Sequence, residues 1–399
     1  MSLVDAVDIP YLRLSDPSFS IRSPEVRAAR ERSWYARTPY GIAVLRYEDV
    51  GKLLRDPRLR QGSHAWPAHN NVTGTFADWW LRILLNRVGD DHARLRRLAN
   101  PAFSPKLITA LQPKFAELAN DIIDQFAGSG RCDFVAEFCE PYVTQVICLL
   151  LGLDQIEWRR IADNARDMGL ALSVTFNQDV EKIDRATAAL FEYAHRMIEE
   201  RRTRPPGDDF ISLLLRANED KDALSDQELY DMVVLAIFGG IDTTRNQLGL
   251  AVSMFVDHPD QWRLLADRPE LARNAVEEVM RVRPTTTWVT REAMEDFTYR
   301  DLEFKRGTTI HLFSESAGTD PRQFTPGFDI AAQRKPHFGF GGGAHHCLGH
   351  FIARADMTEA LKALSRRLRN PRYDGEPTWL PDSGNTGPVK LPIAFDPEC

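Results

Sequence analysis

The chain has 399 residues, 43% hydrophobic and 27% charged, ample for a large packed core and unlike a disordered or collagenous composition. Fifty Lys and Arg against 57 Asp and Glu leave a net charge of −7, so no overall basic field speaks for nucleic acid. Length alone allows two or three units at about 100–200 residues each, yet no repeat, linker or shift of composition divides the chain, and a single domain over 1–399 is expected.

The N-terminal MSLVDAVDIPYLRLSD carries acids and a proline where a signal peptide needs a basic start and an apolar stretch. No run of about 18 apolar residues suggests a membrane span. Cys132, Cys139, Cys148, Cys347 and Cys399 form an odd, scattered set with no paired spacing, which suits a reducing cytosol. A soluble, cytoplasmic protein is expected. In chain order, Gly41–Arg46 is a short strand and Tyr47–Leu54 a short helix ending before Pro57. Helical periodicity then dominates, over Asp91–Leu98, Pro105–Phe126, Glu137–Leu151, Asp179–Arg202, Asp226–Val256, Pro259–Asp267 and Glu270–Arg281. Strand-like pieces return at Phe297–Tyr299, at Thr308–Phe313 and in the last thirty or so residues. The expected fold class is mainly α with small β-sheets rather than alternating βαβ units.

The helix over Asp226–Val256 is apolar on nearly every face except for a girdle, IDTTRNQ, in its middle. Such a helix belongs in the interior, where polar groups need partners or a task. Gly239-Gly240 beside Thr243-Thr244 weakens it locally. Close helix packing with back-bonded threonines and a functional girdle both fit these residues. The segment from Pro336 to Gly349, PHFGFGGGAHHCLG, is a glycine-permitted tight loop presenting Cys347 just ahead of a helix. The N–H groups and positive end of a helix stabilise a thiolate. That sulfur could serve as nucleophile, zinc ligand or haem ligand, although zinc lacks a second ligand pair at a familiar spacing.

The spacing of Phe340, Gly341, Gly343, His345, Cys347 and Gly349 resembles the Phe-Gly-x-Gly-x-His-x-Cys-x-Gly signature of the cytochrome P-450 haem-thiolate monooxygenases, the usual illustration of cysteine-ligated haem. Three further motifs follow the family's order. Gly239–Thr244 is similar to its oxygen-binding segment, Glu278-Val279-Met280-Arg281 to its ExxR, and His92 with Arg96 to its HxxxR. The resemblance runs from about Tyr35 to near the C-terminus and implies the P-450 fold, with haem b between the long central helix and the helix after Cys347. It makes Cys347 the iron ligand, with Phe340 and Gly349 shaping its loop. It gives His92, Arg96, Arg291 and His345 to the propionates, and proton relay to Asp242 and Thr243 at a distortion of the helix. His346 receives no role. The chain departs from the family at Thr319 and Gly327, where arginines are usual. Arg322 and Arg334 are the candidates to replace the second of these, beside Glu278 and Arg281.

The implied activity is that of an EC 1.14 monooxygenase: one atom of O2 enters a mainly apolar small substrate, such as a natural-product intermediate. Electrons would come from a ferredoxin and ferredoxin reductase, docking near Arg354, Lys362, Arg366 and Arg367. The resemblance places the pocket roof in Gly62–Arg87 and about Asn164–Asp179. Phe76, Trp80, Leu235, Ala236, Gly239, Thr287, Trp288 and Val289 are its candidate lining. Coupling, desaturation, peroxide-driven oxidation and a non-enzymatic haem-thiolate sensor are the alternatives.

Overall fold

The buried helix read from the sequence is the axis of the molecule, running unbroken for 32 residues over Asp226–Asp257. Ser225 opens it with a capping box, its side chain accepting from the Glu228 N–H while the Glu228 carboxylate accepts from the Ser225 N–H. No break interrupts it near Thr243. The Thr243 hydroxyl instead donates to the Gly239 carbonyl one turn back, at 2.7 Å, sharing an acceptor with the helical ladder without breaking the helix. This computed structural model describes residues 9–397 apart from 17, 154–157, 173–175, 206 and 218–223. Cys399, the first eight residues and part of the expected roof (173–175) lie outside the described residues.

Helices Glu140–Leu151, Trp158–Gly169 and Val180–Arg202 pack around the central helix. Gly240 permits the first contact, since a Cβ there would lie 2.5 Å from Ile147 Cδ1. The helix after the cysteine, His350–Arg367, packs against Pro105–Ile123 and against the ExxR helix Ala272–Val282. The expected helix from Glu137 begins as a π-helical turn at Val135–Cys139 before it becomes α-helical. Among the described residues, six further helices, at Pro24–Arg32, Trp66–His69, Thr75–Arg82, Trp158–Gly169, Phe210–Arg216 and Ser314–Gly318, stand where the periodicity does not point to them.

The largest sheet has five strands in the order Tyr35–Thr38, Gly41–Val44, Thr309–Phe313, Trp288–Ala293, Leu59–Gln61. Its pairs are antiparallel except for Gly41–Val44 with Thr309–Phe313. Register places Gln61 opposite Arg291, which matters below. The C-terminal region supplies the pair Thr378–Trp379 with Pro388–Lys390 and two strands of a three-stranded sheet, as the sequence suggested. Among the described residues no helix is long and apolar enough to cross a membrane. Cys132, Cys139, Cys148 and Cys347 take part in no disulfide.

Candidate active site

The cysteine loop is built from backbone. The Gly341 N–H donates to the Phe338 carbonyl at 2.8 Å and the Cys347 N–H to the Phe340 carbonyl at 2.9 Å, pinching the loop at its neck. Gly343 has φ +68°, and a Cβ on it would meet the Leu54 carbonyl oxygen at 2.4 Å, so glycine is required there. Burial pushes the Cys347 thiol up, while the Gly349 N–H, Arg96 and Arg354 pull it back towards thiolate. A bound metal cation would complete that shift.

Basic groups gather beside the loop. His92 and Arg96 project from Gly89–Ala99, His345 from the loop, and Arg291 from Trp288–Ala293. The His92 and His345 rings lie 4.2 Å apart. Arg96 donates to the His346 carbonyl at 2.6 Å. Arg291 is 2% exposed and donates to the cross-strand Gln61 side chain. Among the described residues no carboxylate pairs with Arg96 or Arg291, and His92 Nε2 is buried without a partner. Burial lowers Arg291 to about 10. Burial, reinforced by His92, Arg291 and Arg96, holds His345 at about 3. Desolvated guanidiniums with no counter-charge are costly; two carboxylates on a ligand would relieve Arg96 and Arg291 and accept from the neighbouring imidazoles. The residues therefore fit an iron porphyrin: one thiol for the metal, four basic groups for two propionates.

Gly239 is exposed within the central helix, and a Cβ there would meet nothing within 4 Å. Asp242 is buried and its carboxylate accepts from Arg245 at 2.6 Å, Asn385 at 2.8 Å and Asn246 at 3.3 Å. Val289 approaches the loop, 3.9 Å from where a Gly341 Cβ would stand. Phe76 and Trp80 stack at 5.5 Å and, with Trp66, Trp79 and Phe238, form an aromatic block against the central helix. Leu235 borders a small cavity with Ile83, Leu84, Leu95 and Met232, next to Ala236, which is buried. Thr287 and Trp288 are engaged elsewhere. The Thr287 hydroxyl donates to the Ser383 carbonyl, and the Trp288 ring stacks on Phe313 beside the cluster around Leu12, Ile21 and Val26.

Behind the loop, Arg281 grips Glu278 with two bonds, at 2.7 and 2.6 Å, and also donates to the Gly318 and Gly327 carbonyls. Arg334, rather than Arg322, reaches Glu278, at 3.4 Å. Arg322 is occupied by Glu31 and Asp320. At the other departure, Arg30 donates to the Thr319 hydroxyl at 2.9 Å. Three of the four basic groups considered for partner docking have acids beside them: Arg354 with Glu277, Lys362 with Glu359 and Arg367 with Asp124. Against the burial that would raise it, His337 and Arg354 draw the Glu277 carboxylate down to about 2. Gln61, which touches Arg291, and Asn385, which touches Asp242, were marked by no motif, whereas Asn246 lies in the polar girdle.

A cysteine loop beside a cluster of acid-free basic groups, in a protein whose long central helix carries an open glycine, defines a protein built around a thiolate-ligated, dianionic prosthetic group. The sequence model of the family Cytochrome P450 matches residues 164–384. Luteothin monooxygenase from Streptomyces thioluteus is 39% identical over 394 residues, covering 97% of this chain and 96% of its own. Mycinamicin IV hydroxylase/epoxidase from Micromonospora griseorubida is 34% identical, with 90% and 91% covered. The crystal structure of CalO2 superposes with a TM-score of 0.86 at 30% identity, over 96% of this chain and 100% of that one. The chain belongs to the cytochrome P450 family and is an oxidoreductase of the monooxygenase class; membership implies haem.

Proposed function

We propose that this chain, acting as one domain over 1–399, is a cytoplasmic haem b monooxygenase that oxidises a small, mainly apolar natural product carrying a few polar handles. The observation that carries the cofactor reading is the acid-free cluster of His92, Arg96, Arg291 and His345 beside Cys347. The relatives named for luteothin and for mycinamicin IV support a natural-product substrate. The aromatic block of Phe76, Trp79, Trp80 and Phe238 supports an apolar one.

When bound, the haem supplies reductive activation of dioxygen; the protein supplies ligand, pocket and proton path. Cys347 holds the metal. Phe340, 9% exposed beneath the loop, and Gly349 shape the ligand's surroundings. Gly239 leaves open space beside the central helix, and the neighbouring aromatic rings exclude water. Asp242 holds and releases a proton at its carboxylate, and the Thr243 hydroxyl passes it on. Electrons come from outside the chain, through a ferredoxin and its reductase. The exposed Arg366 supports docking on the cysteine side, where the acids beside its neighbours reduce the net basic charge. A relative named as both hydroxylase and epoxidase favours a second reading of the outcome, in which one site yields more than one oxidation.

A library of natural-product-like compounds, titrated into the haem-loaded protein, tests this reading. Apolar compounds with polar handles are expected to shift the Soret band and to trigger NADPH consumption with a ferredoxin and its reductase. Consumption indifferent to every compound would contradict it, and a Soret response without any turnover would point to a sensor.

A further inference from the structure

We infer that Asn385 is a positioning residue for Asp242, and that Thr285 and the Thr386 carbonyl make its amide reversible, so that it serves both the charged and the protonated carboxylate. This rests on the reading of Asp242 as the relay acid. Among the described residues three side chains donate to that carboxylate, and Arg245 and Asn246 lie three and four residues further along the same helix. Asn385 is the donor from another element, 143 residues away in the C-terminal loop.

The amide is anchored independently of Asp242. The Thr386 N–H donates to the Thr285 carbonyl at 2.9 Å, and the Thr285 N–H to Gln247 of the central helix at 2.8 Å. Gly387 lies against Asn246, where a Cβ would come within 2.5 Å of the Asn246 Cβ. The loop carrying Asn385 is thus registered on the helix carrying Asp242.

The Thr285 hydroxyl lies 2.8 Å from Asn385 Oδ1 and 2.7 Å from the Thr386 carbonyl oxygen. It has one proton and two acceptors. With Asp242 charged, the Asn385 N–H donates to Oδ2 of Asp242 and Asn385 Oδ1 accepts from Thr285. With Asp242 protonated, a half-turn of the amide lets the Asp242 O–H donate to Asn385 Oδ1. The Asn385 N–H then donates to the Thr285 hydroxyl, whose proton turns to the Thr386 carbonyl. Every donor keeps an acceptor in both states, and the two amide orientations occupy nearly the same space. The proton enters and leaves at Asp242 Oδ2; no covalent bond to Asn385 changes.

The test uses the haem-loaded full chain and 7-ethoxycoumarin as probe, comparing wild type with Thr285→Val and Asn385→Leu. Dealkylation is driven either by NADPH, ferredoxin, its reductase and O2, or by hydrogen peroxide, which brings its own protons. Both variants are expected to keep the wild-type haem spectrum and peroxide-driven rate. Their O2-driven rate should fall on the order of tenfold, matching loss of one hydrogen bond to a charged group, with a larger solvent isotope effect. Equal losses by both routes, or no loss by either, would overturn the inference; Thr285→Val, which preserves side-chain volume, decides the matter should Asn385→Leu not fold. A wild type driven by peroxide but not by NADPH and O2 would overturn the reading of Asp242 as the relay acid, and this inference with it.

Discussion

Arg291 should destabilise the haem-free protein and stabilise the loaded one, so replacing it should move the two states in opposite directions. Its guanidinium is 2% exposed, and burial alone lowers it from 12.5 to about 10. Carrying that charge at neutral pH therefore costs about 3 kcal/mol. Arg291→Met removes this cost along with the bond to Gln61, worth about 1–2 kcal/mol. Urea denaturation of the haem-free variant should show a net gain of about 1–2 kcal/mol. Haem transfer from the loaded variant to an acceptor globin should be faster, on the order of tenfold, for loss of a charge-assisted bond. A haem-free variant less stable than wild type, or unchanged haem release, would refute the reasoning.

The loop glycines separate two demands. Gly343→Ala meets both a positive φ and the Leu54 carbonyl, and should cost the haem-free chain about 2–4 kcal/mol. Gly349 has φ −81° and only Ile352 Cγ2 within reach, at 3.6 Å, so Gly349→Ala should change it by no more than about 0.5 kcal/mol; equal costs in denaturant would contradict this. Elsewhere, burial pushes the Glu315 carboxyl from 4.5 up to about 7, against the pull of Arg22 and with Asp382 adding to the rise. A folded value above the ordinary one means that the contribution to stability is complete below about pH 4.5 and lost as pH rises through about 7, at most about 3 kcal/mol. Unfolding of Glu315→Gln across pH 5–8 should therefore gain on wild type as pH rises; parallel curves would count against it.

The sequence was most legible where chemistry is local. The cysteine loop, the ExxR pair and the long apolar helix each fall within one short segment, and their spacing or periodicity carries the reading. The helix stays unbroken at Thr243, where the hydroxyl shares the Gly239 carbonyl with the helical ladder. The helices Thr75–Arg82 and Phe210–Arg216 escaped because they span two turns, too few for a periodic signal. Which partner each remaining residue finds was illegible, because pairing is set by register across long separations, even for residues that the sequence singled out. Gln61 meets Arg291 only through strand pairing, Arg334 reaches Glu278 only after the intervening loop folds back, and Asn385 meets Asp242 only once the C-terminal loop lies on the central helix. Thr287 and Trp288 follow the same rule, since their partners Ser383 and Phe313 lie in other segments.

The central claim is that Cys347 binds the haem iron, and the carbon-monoxide difference spectrum of the reduced, haem-loaded protein tests it most directly. Wild type should give the long-wavelength Soret band of a thiolate-ligated centre, and Cys347→Ser should lose that band. A spectrum unchanged by the substitution, or a wild-type chain that takes up no haem, would contradict the account.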